Sequence, residues 1–385
     1  MRTSDDRIYL DYAASTPLRE EVRAVMVPWM TENFGNPSSI HSFGKNLRNQ
    51  IDKCRDQIKS VLNCSYREII FLSGATEGDN WAIKNLARGN SHKGKHFIIS
   101  AIEHHAIIES SEFLEREGYE CTRVKPGKDG VVRVEDIESA IRPDTTFISL
   151  MWVNNELGTI QPVSEVASLA KSRNLMMHTD CAQALSTQKI DLAAVPVDIL
   201  TSTAHKIYGP VGTGFNFVRR DTVLEPFMHG GSHEFGRRAG TENVAGISGL
   251  ATAVQIVGNE RESTVSRYTE LGKYMMELLG REAPDVYLVG NPEKKAPHIY
   301  CLRVPGIKAE SLLIGFDEAR IAVATGSACA SGSAEPSHVM KAIGYGSPEA
   351  FETIRVSFGF ATEKSHIDRF VQILKQIIES GGEQI

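Results

Sequence analysis

Reactive side chains stand directly after short apolar runs in this sequence. The imidazole of His104 follows one such run, and the amide of Asn155 follows the next. The carboxylate of Asp180 and the amide of Gln183 follow a third run, and the amine of Lys206 follows a fourth. Asp180 can pair with a ring N–H and Gln183 can reach an adjacent ring oxygen, so this pair suits a planar heteroaromatic cofactor. Lys206 is a candidate for a Schiff base, because desolvation and neighbouring cations free a lysine amine. The alternatives are a helix cap for Asp180 and a solvated surface position for Lys206.

A stretch of small residues is a second candidate site. Ser73 to Glu77 follows the apolar run Glu68 to Leu72 and leads into a predicted helix from Asp79 to Leu86. Backbone N–H groups at such a helix start can bind an anion, which indicates a phosphate site. A Ser or Thr followed by Glu is also an ordinary helix start, so both interpretations stay open.

The six cysteines occur singly, without a CxxC pair or the Cys/His spacing of zinc sites. The sequence therefore predicts neither a disulfide framework nor a metal site, and five of the cysteines are expected to be small buried hydrophobes. Cys329 differs, because the segment Thr325 to Ser333 (TGSACASGS) consists almost wholly of small and hydroxylic residues that pack no core. Such a loop can bring a thiol to a ligand, and a buried structural cysteine is the alternative.

The elements that must position these residues alternate along the chain. Apolar runs that are β-branched or aromatic and bounded by turn residues predict strands at 68–72, 96–99, 146–151, 175–178, 198–201 and 214–218. Amphipathic segments such as 105–117 and 163–173 predict helices between them. This order indicates a mostly parallel sheet with helices on both faces. Ligands bind beyond the carboxyl ends of strands in such a sheet, so the reactive side chains are expected to meet there.

The C-terminal third has a different pattern. A long helix is predicted from about Ala251 to Gly280, followed by strands near 298–304 and 353–357 and a closing helix around 365–378. This pattern indicates a smaller α+β unit attached to the large sheet.

Length and composition bound the class of protein. With 385 residues, 41% of them hydrophobic and 23% charged, the chain is an ordinary globular protein of two or three domains, or of one large domain with a smaller one. The net charge of −6 is the wrong sign for a general nucleic-acid or anionic-membrane binder. No apolar run approaches the ~20 residues that span a bilayer, and the N-terminus has no secretory signal pattern. We expect a cytoplasmic protein.

Ten ordered motifs, spread nearly end to end, carry a family resemblance. They are YLDYAASTPL, FGNPSSIHSFG, FLSGATEGDNWAI, EHHAI, NNELGTIQP, HTDCAQA, TSTAHKIYGPVG, GGSHEFGRRAGTEN, GSACASGSAEPSHVMKAIG and IRVSFG. By these motifs the chain resembles the pyridoxal-phosphate enzymes of the class V aminotransferase group, and within it the cysteine desulfurases of the long-loop GSAC branch. The resemblance implies the fold type I architecture, with a large domain built on a mostly parallel seven-stranded sheet and a smaller α+β domain. Residues 17–255 would form the large domain, and residues 1–16 and 256–385 the small domain, which would carry the catalytic loop at about 322–336.

The same resemblance implies roles for individual residues. Lys206 would carry pyridoxal 5'-phosphate as a Schiff base, His104 would stack on the ring, and Asp180 would pair with the ring nitrogen. Asn155 and Gln183 would bond to the region of the ring's 3-oxygen. The phosphate would lie on Ala75, Thr76, Thr203 and His205, and on Thr241 from the partner subunit of a homodimer. Arg355 would bind the substrate carboxylate, with Asn155 beside it, and Cys329 would be the nucleophile.

The function implied is removal of sulfur from L-cysteine, which yields L-alanine and a persulfide on Cys329. The sulfur would pass to a protein acceptor, such as an iron–sulfur assembly scaffold or a tRNA-thiolation protein. Selenocysteine lysis, cysteine sulfinate desulfination and transamination are related alternatives, and a catalytically silent sulfur-transfer scaffold is a further one. Three departures from the family pattern are Cys181, Val211 and Thr203, where Ala, Lys and Ser are usual.

Overall fold

The strands of the chain form one large sheet and smaller ones beside it. The computed structural model describes residues 7–326 and 336–382. Within these residues the strands are β1 (Ile8–Tyr9), β2 (Ile69–Leu72), β3 (His96–Ser100), β4 (Glu120–Val124), β5 (Thr145–Ser149), β6 (Met176–Asp180), β7 (Ile199–Thr203), β8 (Gly214–Val218), β9 (Tyr287–Val289), β10 (Ile299–Arg303), β11 (Ile321–Ala322), β12 (Ala324–Thr325) and β13 (Thr353–Ser357). Every strand predicted from the sequence is present.

Helices surround these strands. Over the same residues they are α1 (Glu20–Thr31), α2 (Ser42–Leu62), α3 (Ala75–Gly89), α4 (His105–Arg116), α5 (Val134–Ala140), α6 (Val163–Ser172), α7 (Val244–Glu282), α8 (Ala309–Glu318), α9 (His338–Ala342), α10 (Ser347–Ala350) and α11 (Lys364–Glu379). Short 3-10 turns occur at Tyr66–Glu68, Ala204–Lys206 and Glu234–Gly236. No helix within the described ranges is long and apolar enough to cross a lipid bilayer.

The large sheet of the described chain has seven strands in the order β2-β8-β7-β6-β5-β3-β4. Strand β8 runs antiparallel to β2 and β7, and the remaining pairs are parallel. The predicted α/β class with a mostly parallel seven-stranded sheet is therefore confirmed. The edge strand β4 is absent from the runs identified in the sequence, because its residues ECTRV bury only Val124 and so form no apolar run.

The smaller unit is a four-stranded antiparallel sheet in the order β12-β13-β10-β9, packed against α8 and α11. Helix α7 joins it to the large sheet, since its residues up to Val257 pack in the core of the large sheet and those from Tyr268 onward in the other core. The helix begins at Val244, earlier than predicted, where the Asn243 side chain accepts a hydrogen bond of 3.0 Å from Gly246 N. The predicted domain boundary at 255/256 lies inside this helix and stays a prediction.

Helix α3 lies directly against the large sheet, and this contact places its N-terminus beside the strand ends. A Cβ atom added at Gly78 would lie 2.3 Å from Asn216 Oδ1 and 2.7 Å from Thr201 Cγ2. The Gly78 carbonyl also accepts a hydrogen bond of 3.1 Å from Asn216 Nδ2. Glycine at this position therefore sets how closely the helix approaches strands β7 and β8.

We predict that Gly78→Ala lowers the free energy of unfolding by about 1–3 kcal/mol, because the added methyl group forces the helix away from the sheet. This loss outweighs the gain of ~1 kcal/mol that alanine normally brings to a helix interior. Gly280→Ala is the matched control, because a Cβ atom at Gly280 meets nothing within 4 Å. It should raise the free energy of unfolding by about 0.5–1 kcal/mol. Urea denaturation of both variants measures these changes, and a stabilised Gly78→Ala protein would contradict the close contact.

Candidate active site

A cavity of about 590 Å³ opens at the carboxyl ends of the strands of the large sheet. Its walls come from the segments after β2, β3, β5, β6 and β7, from the N-terminal segment, and from Gly326, His338 and Arg355 of the smaller unit. A volume of this size is typical of a pocket for a small molecule. The parallel strands therefore bring together side chains that are far apart in the sequence, as the order of elements predicts.

Lys206 lies in this cavity with its amine held by backbone carbonyls. Its Nζ donates hydrogen bonds of 2.7 Å to Ala13 O and 2.8 Å to Ala14 O. Gln183 Nε2 donates to the same Ala13 oxygen at 2.8 Å. The N-terminal segment is thus bonded to two of the side chains that the sequence singles out.

Asp180 ends strand β6 at the floor of the cavity and is almost completely buried. Its Oδ1 accepts a hydrogen bond of 2.8 Å from Ala182 N. Asp180 therefore also caps the turn that follows β6, which agrees with the capping role that the sequence analysis gave as the alternative. Burial raises the pKa of Asp180, while the imidazole of His104 and the amine of Lys206 oppose the rise. The side chain is positioned to pair with a cationic group, since a buried carboxylate needs a charged or donor partner.

Two further buried acids lie near Asp180. Burial, followed by the negative charge of Asp180, raises the pKa of Asp79 well above its usual value. Burial also raises the pKa of Glu103 well above its usual value, and Asp180 adds to the rise. Of these three acids, Asp180 is the one that lines the cavity, and burial disfavours the charged forms of the other two.

Imidazoles near the cavity are held neutral. Burial lowers the pKa of His104, and burial followed by the charge of Lys206 lowers the pKa of His205 to about 4. His104 Nδ1 also accepts a hydrogen bond of 3.1 Å from Ala106 N at the start of α4, which fixes the ring. A neutral, fixed imidazole is suited to stacking against a planar ring.

The N-terminus of α3 forms the opposite end of the cavity. The first N–H groups of a helix have no acceptor within the helix, and Ala75 and Thr76 stand at that position. The Glu77 carboxylate accepts a hydrogen bond of 2.7 Å from Ser73 N and is itself held by Arg238 at 2.9 Å. Glu77 therefore acts as the acid of an ordinary helix start, as one of the two interpretations of this segment predicts. The first-turn N–H groups also stay available to an anion, as the other interpretation requires.

Two more polar groups lie at this end. Thr203 Oγ1 is 3.0 Å from His205 Nδ1, which couples the hydroxyl to the imidazole. Both residues line the cavity together with Ala75 and Thr76. These four residues are the ones predicted to hold a phosphate, and they lie together.

Arg355 reaches the cavity from strand β13 of the smaller unit and is 2% exposed. Its Nη1 donates to Asn155 O at 2.9 Å and its Nη2 donates to Asp11 Oδ1 at 2.7 Å. Two of the five N–H donors of the guanidinium are used in these bonds. Its buried Nε has no acceptor among the described residues. The guanidinium therefore keeps donors for a carboxylate.

The structure brings most of the predicted site residues into one cavity. Those that line it are Ala75, Thr76, His104, Asn155, Asp180, Gln183, Thr203, His205, Lys206 and Arg355. Thr241 is exposed and is not among the described residues that line the cavity of its own chain. Cys329 lies outside the described residues. The roles assigned to these side chains stay predictions.

Sequence reasoning missed several residues that the cavity depends on. The carbonyls of Ala13 and Ala14 and the carboxylate of Asp11 hold Lys206 and Arg355, and Glu156 and His338 line the wall. The only signal for them was membership of the motifs YLDYAASTPL, NNELGTIQP and GSACASGSAEPSHVMKAIG. Backbone acceptors leave no mark on residue type, so spacing could not assign them.

The five cysteines of the described ranges are poor nucleophiles. Burial raises the pKa of Cys54 to about 11 and those of Cys64 and Cys121 to about 12. Burial also raises the pKa of Cys181 and Cys301. Although Cys181 follows Asp180 directly, it is fully buried, and the charge of that aspartate raises its pKa further. A second reactive thiol at Cys181 is therefore not supported.

Comparisons with known proteins cover nearly the whole chain. The sequence profile of the family described as aminotransferase class-V matches residues 8–370. A relative from Dictyoglomus turgidum named cysteine desulfurase IscS is 42% identical over 372 residues, which are 97% of this chain and 94% of the relative. A solved structure named NifS-like protein is similar with a TM-score of 0.92 at 30% identity, covering 97% of this chain and 100% of that one. The structure of SspA in complex with cysteine has a TM-score of 0.81 at 33% identity, covering 91% of this chain and 98% of that one.

We predict that iodoacetamide near neutral pH leaves the five described cysteines of the folded protein unmodified, because alkylation requires the thiolate that burial suppresses. The sites to be quantified by peptide mass spectrometry are Cys54, Cys64, Cys121, Cys181 and Cys301. All five should react once the protein is unfolded in guanidinium chloride. Rapid labelling of Cys181 in the folded protein would contradict its assignment as an inert thiol.

Proposed function

The chain belongs to the aminotransferase class-V family and is a cysteine desulfurase, and we propose that it converts L-cysteine to L-alanine with Cys329 as the sulfur acceptor. The observation that carries this proposal is the convergence of Lys206, Asp180, His104 and Arg355 on one cavity at the strand ends. The related structure that is described as a complex with cysteine supports the substrate.

The cavity fits pyridoxal 5'-phosphate, on which enzymes of this family depend. An anion is accommodated at the N-terminus of α3, where first-turn N–H groups and the Thr203 hydroxyl lie together. At the floor, the buried carboxylate of Asp180 needs a cationic partner, which a protonated ring nitrogen provides. Lys206 would hold the cofactor covalently, and neutral His104 would cover the ring. When bound, the cofactor supplies an electron sink for the electrons left as the substrate loses its Cα proton.

Substrate is held and deprotonated by this chain's own side chains. Arg355 binds the carboxylate of L-cysteine through donors that the described residues leave unused, and Asn155 lies beside it. The Lys206 amine is the base that accepts the Cα proton, because Lys206 is the one lysine among the described residues that line the cavity.

Sulfur leaves the substrate by attack of a thiolate. The Cys329 sulfur forms a bond to the substrate sulfur while the substrate C–S bond breaks, and its electron pair stays on the substrate carbon. That carbon takes up a proton and the Cα atom regains the proton it gave to Lys206, which together give L-alanine, and the protein keeps a persulfide on Cys329. The high pKa of the five described thiols supports Cys329 as the acceptor.

The site is proposed to be shared within a homodimer. Thr241 is exposed and is not among the described residues that line the cavity of its own chain, which supports a role at the phosphate of a partner subunit. Large apolar side chains are also exposed, among them Ile40 at 86%, Phe34 at 69% and Met30 at 68%. Phe34 also packs against the exposed Phe43, with ring centroids 5.3 Å apart, and contiguous exposed apolar surface is typical of an interface. We propose a cytoplasmic dimer that passes sulfur to a protein acceptor of iron–sulfur assembly or tRNA thiolation.

Cys329→Ser tests the proposed acceptor. The variant should bind the cofactor and respond spectrally to L-cysteine, because those steps use Lys206, Asp180 and Arg355. Alanine and sulfide formation with a reductant should fall on the order of a thousandfold or more, as when other enzymes lose their nucleophile. Cys181→Ser is the control and should retain activity. Sulfide release by Cys329→Ser near the wild-type rate would move the assignment to a selenocysteine-lyase type of reaction.

Subunit complementation tests the shared site. Lys206→Ala and Thr241→Val homodimers should each be impaired, since one lacks the amine and the other a hydroxyl at the phosphate. A mixed dimer contains one site with both native residues, so it should recover about half of the wild-type activity. Differently tagged chains, purified as heterodimers and assayed for alanine, give the measurement. Activity no higher than that of the two parent variants would refute a shared site.

A further inference from the structure

Tyr208 stands two residues after Lys206 in a left-handed backbone conformation. Its φ is 66°, a region that favours glycine because a Cβ atom crowds the backbone there. This conformation turns the chain back after the 3-10 turn Ala204–Lys206, so that Gly209 N donates a hydrogen bond of 2.9 Å to Ala204 O. The closed turn 204–209 that carries Lys206 therefore depends on an unfavourable conformation at residue 208.

The N-terminal segment holds the backbone of this turn. Tyr208 N donates a hydrogen bond of 2.7 Å to Thr16 Oγ1, and Tyr208 O accepts one of 3.2 Å from Arg19 N. Thr16 N also donates to His205 O at 2.8 Å. A glycine at position 208 could make the same backbone bonds without the conformational cost. The tyrosine side chain therefore has a separate role at this position.

The Tyr208 side chain connects the turn to the smaller unit. It is buried, and its Oη lies 3.0 Å from Tyr268 Oη and accepts a hydrogen bond of 3.2 Å from Phe360 N. Its ring also packs edge-on against the ring of Phe360, with centroids 5.3 Å apart. Tyr268 belongs to the core of the smaller unit, and Phe360 follows β13, the strand of Arg355. The phenol thus contacts the smaller unit from the turn that carries Lys206.

These hydrogen bonds do not titrate near neutral pH. Burial, followed by the charge of Tyr268, raises the pKa of Tyr208 well above its usual value, and the Phe360 amide and the charge of Arg19 oppose the rise. Burial also raises the pKa of Tyr268. Both hydroxyls therefore keep their protons, and the contact between the turn and the smaller unit is independent of pH in that range.

From these contacts we propose that Tyr208 is a positioning residue for proton transfer at the substrate Cα atom: its phenol fixes the turn of Lys206 relative to Arg355, so that the amine meets the Cα proton of a substrate held by the guanidinium. In this step the Cα–H bond breaks, the Lys206 amine gains the proton, and the electron pair passes to the cofactor. The inference rests on the proposed functions of Lys206 and Arg355. It assigns Tyr208 no contact with substrate or cofactor, and it does not involve a thiol.

The test is exchange of the Cα proton of L-alanine by the holoenzyme in D2O, followed by proton NMR. L-Alanine has no sulfur, so the exchange needs the lysine, the arginine and the cofactor alone. Tyr208→Phe should slow the exchange at saturating L-alanine about tenfold to a hundredfold, since a misplacement of about 1 Å has an effect of that size. The L-alanine concentration that half-saturates the change in cofactor absorbance should stay within about threefold of wild type.

Tyr274→Phe is the matched control. The Tyr274 hydroxyl donates to Asp368 between α7 and α11, within the smaller unit, so its loss leaves the Lys206 turn untouched. This variant should exchange L-alanine at the wild-type rate. A wild-type rate in Tyr208→Phe would overturn the proposal, as would a loss of rate matched by an equal loss of affinity for L-alanine.

Amide hydrogen exchange of the cofactor-free protein is an independent measurement. Without the Tyr208 hydroxyl, Phe360 N loses its acceptor and the bond from Gly209 N to Ala204 O loses its support. Peptides that cover 204–209 and 358–362 should therefore exchange faster in Tyr208→Phe, and peptides of β3 and β5 should not change. Unchanged exchange at 204–209, or equal acceleration throughout the chain, would contradict a positioning role.

Tyr268→Phe removes one of the two partners of the Tyr208 hydroxyl and should have a smaller effect on L-alanine exchange. The double variant should be no slower than Tyr208→Phe, because the two hydroxyls share one contact. Additive losses would contradict that contact. If Lys206→Ala loaded with the cofactor exchanges L-alanine at the wild-type rate, the proposed base itself fails, whatever the Tyr208 variants do.

Discussion

The amine of Lys206 bonds to the backbone carbonyls of Ala13 and Ala14, and the assembly of the site depends on this interaction. The same short segment holds other functional groups, since Asp11 pairs with Arg355 and Thr16 bonds to the His205 carbonyl. One extended stretch near the N-terminus therefore spans from the lysine to the arginine and ties the large sheet to the smaller one. Backbone carbonyls carry this link, so it tolerates small side chains such as alanine at those positions.

Burial of charge is the second constraint on the cavity. Asp79, Glu103 and Asp180 all lie in the desolvated interior, and their mutual repulsion allows few of them to ionise together. The imidazole of His104 and the amine of Lys206 act to lower the pKa of Asp180. They therefore favour the charged form of Asp180 over the charged forms of Asp79 and Glu103. The neutral imidazoles of His104 and His205 follow from the same desolvation. A cofactor with one cationic ring position and one anionic group would complement this distribution of charge.

The sequence predicted the parts of the molecule that follow from local pattern. Apolar runs located the strands. Because the carboxyl ends of parallel strands lie at one edge of a sheet, Asp180, His104 and Lys206 could be assigned to that edge from the sequence, although the distances between them could not. The edge strand β4 and the early start of α7 were missed, because one is mostly half-buried and the other begins with small residues. The backbone acceptors of Lys206 and the partners of Arg355 could not be predicted, since they come from residues nearly two hundred or more positions away.

Arg355 illustrates how the two units share one task. Its strand belongs to the smaller sheet, yet its guanidinium is fixed by Asn155 of the large domain and by Asp11 of the N-terminal segment. Because Asp11 already balances its charge, the substrate carboxylate proposed to bind here would gain less from net attraction than from the directional donors of the guanidinium. Under the proposed role, recognition would depend on the geometry of the guanidinium, which contacts both units. Glu156 stands beside Asn155 on the same turn and accepts a hydrogen bond from Ser337, so one turn of the large sheet's unit bonds both to Arg355 and to the residue that caps α9.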